Sequence, residues 1–300
     1  MALTFCGLEL AHPILNGSGT YDAIAARRAF GDAVLEQFPF SAFVSKTITL
    51  KPRGGNPPPR LFETPAGMIN SIGLPNKGLA GYLAHDLPEL ARLPVPLVTN
   101  VMGSTAEEIA ALVEAVDARE EIDAIELNVS CPNVKTGLDI GADPRELGAV
   151  VARVRRLTGK PLIVKLTPNA SDVPAAAAAA EAAGADAVSL INTLRAYAPH
   201  PRHAGRAWLG GGTGGLSGPA VRAVALAQVR AVAARVAIPI VGMGGVQTGR
   251  HAADLLEAGA TAVAVGTESF RDPAAGTRIQ HELHDLFAKS GNIARTGPDV

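Results

Sequence analysis

Short apolar runs recur along the chain at residues 14–16, 42–47, 97–101, 124–129, 162–166, 187–191, 238–242 and 262–265. Each stops abruptly at polar or glycine-rich sequence. Continuous apolar runs of this length read as strands buried on both faces, as parallel strands are. Between them lie longer stretches rich in Ala, Leu, Glu and Arg, at 105–119, 143–158, 173–183, 221–236 and 249–258, which carry a helical pattern. Strand alternates with helix throughout, and the pattern predicts an α/β protein, a (β/α)8 TIM barrel spanning 1–300 as one domain. A short β-hairpin at about residues 3–10 precedes it. The alanine run from Ala175 to Ala180 belongs to a helix, because Ala is the best helix former and Gly184 supplies a stop. Two connections, 48–96 and 194–215, are longer than a barrel needs, and loops of that length act as lids or binding loops over the C-terminal face.

With 300 residues the chain exceeds a typical domain but suits a barrel. Hydrophobic residues make up 47% and charged residues 18%, enough for a large core and too apolar for a disordered chain. Twenty-seven basic residues against 28 acidic leave a formal charge of -1, so there is no global attraction to nucleic acid or an anionic membrane. An anionic ligand has to be held locally. Residues 1–5 open on a strand-like pattern instead of a signal peptide, and no apolar run approaches the roughly 20 residues of a membrane helix. The expectation is a soluble, cytoplasmic protein. Cys6 and Cys131 are the only cysteines, too few for a disulfide framework or for the four ligands of an iron–sulfur cluster. Cys6, in the hairpin without polar neighbours, reads as a structural thiol. His200 with His203 and His281 with His284 have no further ligand at a metal-binding spacing, so they read as surface histidines and no metal site is expected.

The chemistry collects where strands end: Ser18, Lys46, Thr47, Asn100, Asn128, Lys165, Asn192, Thr193, Gly244, Gly245, Gly266 and Thr267. Two lysines beside three asparagines on one rim point to a polar, planar ligand. Glycines at 241–246 and 265–267, each leading into a helix start, match the phosphate site found after the last two strands of such barrels. Residues 210–215 contain a G-x-G-x-x-G match, but no strand precedes it and no acid follows at the right distance, so a dinucleotide fingerprint is not indicated. The run 125–133 ends in Ser130, Cys131, Pro132 and Asn133. A thiol just past a buried strand, near lysines, can serve as a thiolate general base.

Longer motifs carry a resemblance. Lys46-Thr47, residues 56–60, 63–68 and 70–76, Asn128 through Lys135, 189–193, 213–220 and Gly242 through Gly245 resemble, in this order, the dihydroorotate dehydrogenase family, and within it the class 1B catalytic subunits. The resemblance covers nearly the whole chain. It implies a barrel holding one FMN, which takes a hydride from C6 of dihydroorotate while a base removes the C5 proton, yielding orotate for pyrimidine synthesis. Cys131 matches that base. Lys46, Asn70, Ser71, Ile72, Gly73, Leu74, Asn128, Asn192 and Thr193 match the substrate positions. Ser18, Lys46, Thr47, Asn100, Asn128, Lys165, Ile191, Gly218, Gly244, Gly245, Gly266 and Thr267 match the flavin positions, with Lys165 placing positive charge near the ring. Cysteine at 131 resembles the soluble class 1 enzymes, whereas the membrane-associated class has serine there and an N-terminal extension that this chain is expected to lack; residues 134–137 resemble 1B more than the fumarate-using 1A type. The resemblance further implies a homodimer, joined into a heterotetramer by a subunit carrying FAD and a 2Fe–2S cluster that reduces NAD+. Residues 138–141 and 195–198 depart from the family pattern and bear on lid closure and electron acceptor. A flavin barrel for dihydropyrimidines and a non-catalytic flavin subunit are the competing readings; Lys46, suited to a substrate carboxylate, weighs against the former, and the full set of catalytic residues against the latter.

Overall fold

A computed structural model describes residues 2–130 and 140–293. Eight barrel strands are present: β1 (Ile14–Asn16), β2 (Phe43–Val44), β3 (Leu97–Val101), β4 (Ala124–Asn128), β5 (Leu162–Lys165), β6 (Ala187–Leu190), β7 (Ile240–Met243) and β8 (Ala262–Val265). They pair in parallel from β2 through β8 in chain order, and β8 pairs with β1. The (β/α)8 expectation holds. Two strands differ from the apolar pattern by more than one residue at an end: the second is confined to Phe43–Val44, and the seventh runs Ile240–Met243, not 238–242.

The β1–β2 seam is closed by a side chain. Asn16 Nδ2 donates to the Val44 carbonyl at 2.8 Å, and Asn16 Oδ1 accepts from the Val44 N–H at 2.8 Å, so one amide stands in for a missing rung. The backbone adds one bond, Ser41 N–H to the Ile14 carbonyl at 3.0 Å. Asn16 is fully buried and Val44 nearly so. Replacing Asn16 by Ala strands a buried donor and a buried acceptor on Val44, each costing about 1–3 kcal/mol. Asn16→Ala is therefore expected to lose about 2–5 kcal/mol of stability. Urea unfolding followed by far-UV circular dichroism tests this, and an unchanged midpoint would mean that the seam does not depend on the amide.

The barrel interior is filled by alternating inward side chains, among them Leu15, Val98, Ile163, Val241 and Ala264. The hairpin of Leu3–Phe5 and Leu8–Leu10 plugs its base with the buried Phe5 and Leu10. Outside, helices cover the strands. In Ala106–Asp117 the buried Ile109, Leu112, Val113 and Val116 follow helical spacing, and Thr105 caps the start by accepting from the Glu108 N–H at 3.2 Å. Val173–Ala182 contains the alanine run, with Ala176, Ala177 and Ala180 buried.

The two long connections are not independent lids. Leu61–Thr64 and Gly67–Asn70 from the first join Leu194–Ala196 and Gly214–Ser217 from the second in one antiparallel sheet. This cap has its own small core of Ile69, Ala198 and Leu209, with Phe62, Trp208 and Leu216 against it. Its glycine run serves close packing: a Cβ on Gly215 would lie 1.9 Å from Thr193 Oγ1. The G-x-G-x-x-G match leads into a strand, not a helix, so it has no dinucleotide geometry.

Candidate functional site

Two adjoining chambers lie between the C-terminal strand ends and the cap. The first, about 390 Å3, is lined by Ser18, Lys46, Asn70, Ile72, Lys165, Ile191, Asn192, Thr193, Gly218, Gly244, Gly245, Gly266 and Thr267. The second, about 300 Å3, is lined by Leu74, Asn128, Ser130, Asn169, Arg195 and residues 213–215 of the cap. Ser18, Lys165, Asn192 and Thr193 face both. A larger groove of about 890 Å3 runs beside the helix Ala23–Phe30 and meets the first chamber at Lys46 and Phe270. Its wall lacks Asn70, Asn128 and Asn192, so volume does not mark the chemistry here.

Most of the residues expected at the site converge. Ser71 and Gly73 do not line either chamber: the Ser71 hydroxyl donates to the Thr213 carbonyl at 2.8 Å and accepts from Asn56 Nδ2 at 3.0 Å, which ties the cap together. Thr47 and Asn100 are buried and line neither chamber, though the Thr47 hydroxyl lies 3.3 Å from that of Ser18. Cys131 lies outside the described residues, as do Asn133, Lys135 and the departure at 138–139. Cys6 is half-buried rather than free of polar company, since its thiol donates to the Asp186 carbonyl at 3.4 Å. Burial, then the Asp186 charge, pushes that thiol up to about 11, which keeps it protonated and unreactive.

Lys165, at the end of β5, is only 6% exposed, and among the described residues neither it nor Lys46 has an ion-pair partner. Lys46 opens to the chamber, yet the surrounding protein and then the Lys165 charge lower its pKa from the ordinary lysine value. Two cations held together at a cost call for an anion. The amides are held by short local bonds. Asn128 Oδ1 accepts from the Ser130 N–H at 3.1 Å, Asn192 Nδ2 donates to Ser130 Oγ at 2.9 Å, and Asn192 Oδ1 accepts from the Thr193 N–H at 2.8 Å. Ser130, noted in the sequence only as a neighbour of Cys131, is thus the link between two of the asparagines. Asn169 was missed as well: it donates to the Thr193 carbonyl at 3.1 Å and accepts from the Arg195 N–H at 2.9 Å, fixing where the cap leaves the barrel. Thr267 Oγ1 donates to Ser217 Oγ at 2.9 Å and joins cap to barrel at the other end.

At that end the loop after β7 turns through Gly244 (φ +133) and Gly245 (φ +71), a path closed to most side chains. A Cβ on Gly244 would meet Ala225 at 2.7 Å and Ile191 at 3.3 Å. Bare backbone here suits a phosphate approaching the main chain. Asn100 supplies a further sign: its Oδ1 is buried without a partner. Lysine for an anionic ring edge, amides for an imide and a glycine cradle for a phosphate fit flavin mononucleotide.

Fold and site together define a barrel enzyme that binds a planar phosphorylated cofactor beside a small anionic substrate. The family model described as Dihydroorotate dehydrogenase matches residues 1–287. The chain belongs to the dihydroorotate dehydrogenase family. It is 47% identical over 297 residues, 98% of this chain and 95% of the relative, to a Pelobacter propionicus protein named Dihydroorotate dehydrogenase B (NAD(+)), catalytic subunit. Proteins of the same name from Desulforudis audaxviator (44% identical; 97% of this chain, 93% of the relative) and Geotalea daltonii (42%; 97% and 94%) are similarly close.

Proposed function

We propose that the chain is the catalytic subunit of an NAD+-linked dihydroorotate dehydrogenase, oxidising (S)-dihydroorotate to orotate in pyrimidine biosynthesis. The observation that carries this reading is that Lys165 and Asn192 stand at the junction of two chambers, with Lys46 in the first and Asn128 in the second, and neither lysine has a carboxylate partner among the described residues. Ser18, Thr47, Asn100, Lys165, Ile191, Gly218, Gly244, Gly245, Gly266 and Thr267 hold FMN, which when bound supplies the acceptor for the C6 hydride. Lys46 attracts the substrate carboxylate, and Asn70, Asn128, Asn192 and Thr193, backed by residues 71–74, orient the ring through groups that both donate and accept. Cys131 takes the C5 proton as the C5–C6 double bond forms. The cap covers the polar strand ends, which lowers the local dielectric in which the charges act.

Electrons pass to NAD+ through a partner subunit carrying FAD and a 2Fe–2S cluster, joined to a homodimer of this chain. Among the described residues no helix is long and apolar enough to cross a membrane. A cytoplasmic location accords with this. Anaerobic titration of the purified chain with dihydroorotate tests the reading. The flavin bands should bleach at about one equivalent and return on adding excess orotate. Yellow protein that dihydrouracil bleaches but dihydroorotate does not would move the assignment to a dihydropyrimidine enzyme.

A further inference from the structure

Among the described residues only two charged side chains are buried, Lys165 and Glu126. Both point into the barrel from neighbouring strands. In the β4–β5 register Asn128 stands opposite Lys165 and Glu126 opposite Ile163. Glu126 therefore lies one inward-facing layer below the chamber floor, with its Cα roughly 8 Å from that of Lys165. No ion pair joins them, and the carboxyl is held by neutral donors. Ser189 Oγ donates to one oxygen at 2.7 Å and Asn100 Nδ2 to the other. Both oxygens accept from neutral donors, the acceptor-only pattern of a carboxylate.

Two consequences follow from this. Because a carboxylate only accepts, it fixes the Asn100 amide with nitrogen toward Glu126, and leaves Oδ1, buried and unpartnered, as the end still to be satisfied. The same carboxylate sets a negative charge under a site whose other charges, Lys46 and Lys165, are positive.

We propose that Glu126 is a positioning residue of the flavin site, locking Asn100 and Ser189 below the floor and opposing Lys165 there. Its charge disfavours the more negative, reduced form of a ring bound above it, so it lowers the midpoint potential and favours passing electrons onward. This rests on FMN occupying the first chamber as proposed above.

The test is the midpoint potential of the holoenzyme, read from the visible flavin bands by anaerobic equilibration with a redox dye. Glu126→Gln keeps the shape, and the Ser189 hydroxyl can turn to accept from the new amide. At a fixed solution potential this variant is expected to raise the ratio of reduced to oxidised flavin on the order of tenfold, a shift of about 30 mV for a two-electron couple. Ser189→Ala keeps the charge and should leave the ratio within about twofold. Equal shifts in both variants, or none in Glu126→Gln, would overturn the proposal. Should Glu126→Gln not fold, Glu126→Asp carries the test: the charge remains, the ratio should not move, and a tenfold rise would count against a charge effect. Wild-type protein unable to take up FMN would instead remove the cofactor assignment.

Discussion

Cys131→Ala is expected to slow the bleaching of bound flavin by dihydroorotate by about 10²–10⁴-fold, the usual contribution of a general base, while flavin content stays unchanged. The reason lies in how the chain reaches this position. β4 is buried along its whole length and ends at Asn128. Asn128 Oδ1 then holds the Ser130 N–H, and Ser130 Oγ in turn holds Asn192. The residue before the thiol is thereby tied to two amides of the second chamber. A thiol has an ordinary pKa of about 8.5, so wild-type rates should rise with pH up to a plateau. Cys131→Ser replaces the thiol with a much weaker acid, and its rate should keep rising to higher pH. Stopped-flow absorbance across pH measures both. Bleaching of Cys131→Ala at the wild-type rate would take the base role from this residue.

The alternation of strand and helix was legible because each element signals locally: apolar runs for buried parallel strands, and longer stretches rich in Ala, Leu, Glu and Arg for the helices between them. The cap was not legible. Gly215 pairs with Asn70 across the whole middle of the chain, and no local pattern reports a non-local pairing between weakly apolar, glycine-rich segments. Nor was the Asn16 seam, since a side-chain amide replacing a ladder rung leaves no periodic trace. At the site, the rim residues were readable as polar groups at strand ends. Ser71 and Gly73 entered through the family resemblance over residues 70–74; in the structure the Ser71 hydroxyl and the Gly73 backbone pack within the cap. Glu126 did leave a signal, an acid inside an otherwise apolar strand, and buried acids of that kind are where polar networks are to be sought.

Lys165→Met should have opposite effects on stability and on cofactor binding. A lysine 6% exposed, without an ion-pair partner among the described residues, is a standing cost to the fold. An apolar side chain of similar length relieves it, so the protein freed of flavin is expected to gain on the order of 1–3 kcal/mol in stability. The same change removes the charge facing both chambers, and FMN affinity, followed by quenching of flavin fluorescence, should fall about 100-fold through loss of a buried charge-assisted contact. A structural lysine would behave differently, losing stability and weakening FMN only in proportion to unfolding. Lys46 supplies the control for the pair. Its positive charge is one cause of neighbouring repulsion, so removing Lys165 should return the Lys46 pKa toward the ordinary lysine value and keep Lys46 charged to higher pH. If Lys165→Met destabilised the flavin-free protein and left FMN binding intact, the cation would belong to the fold and not to the site.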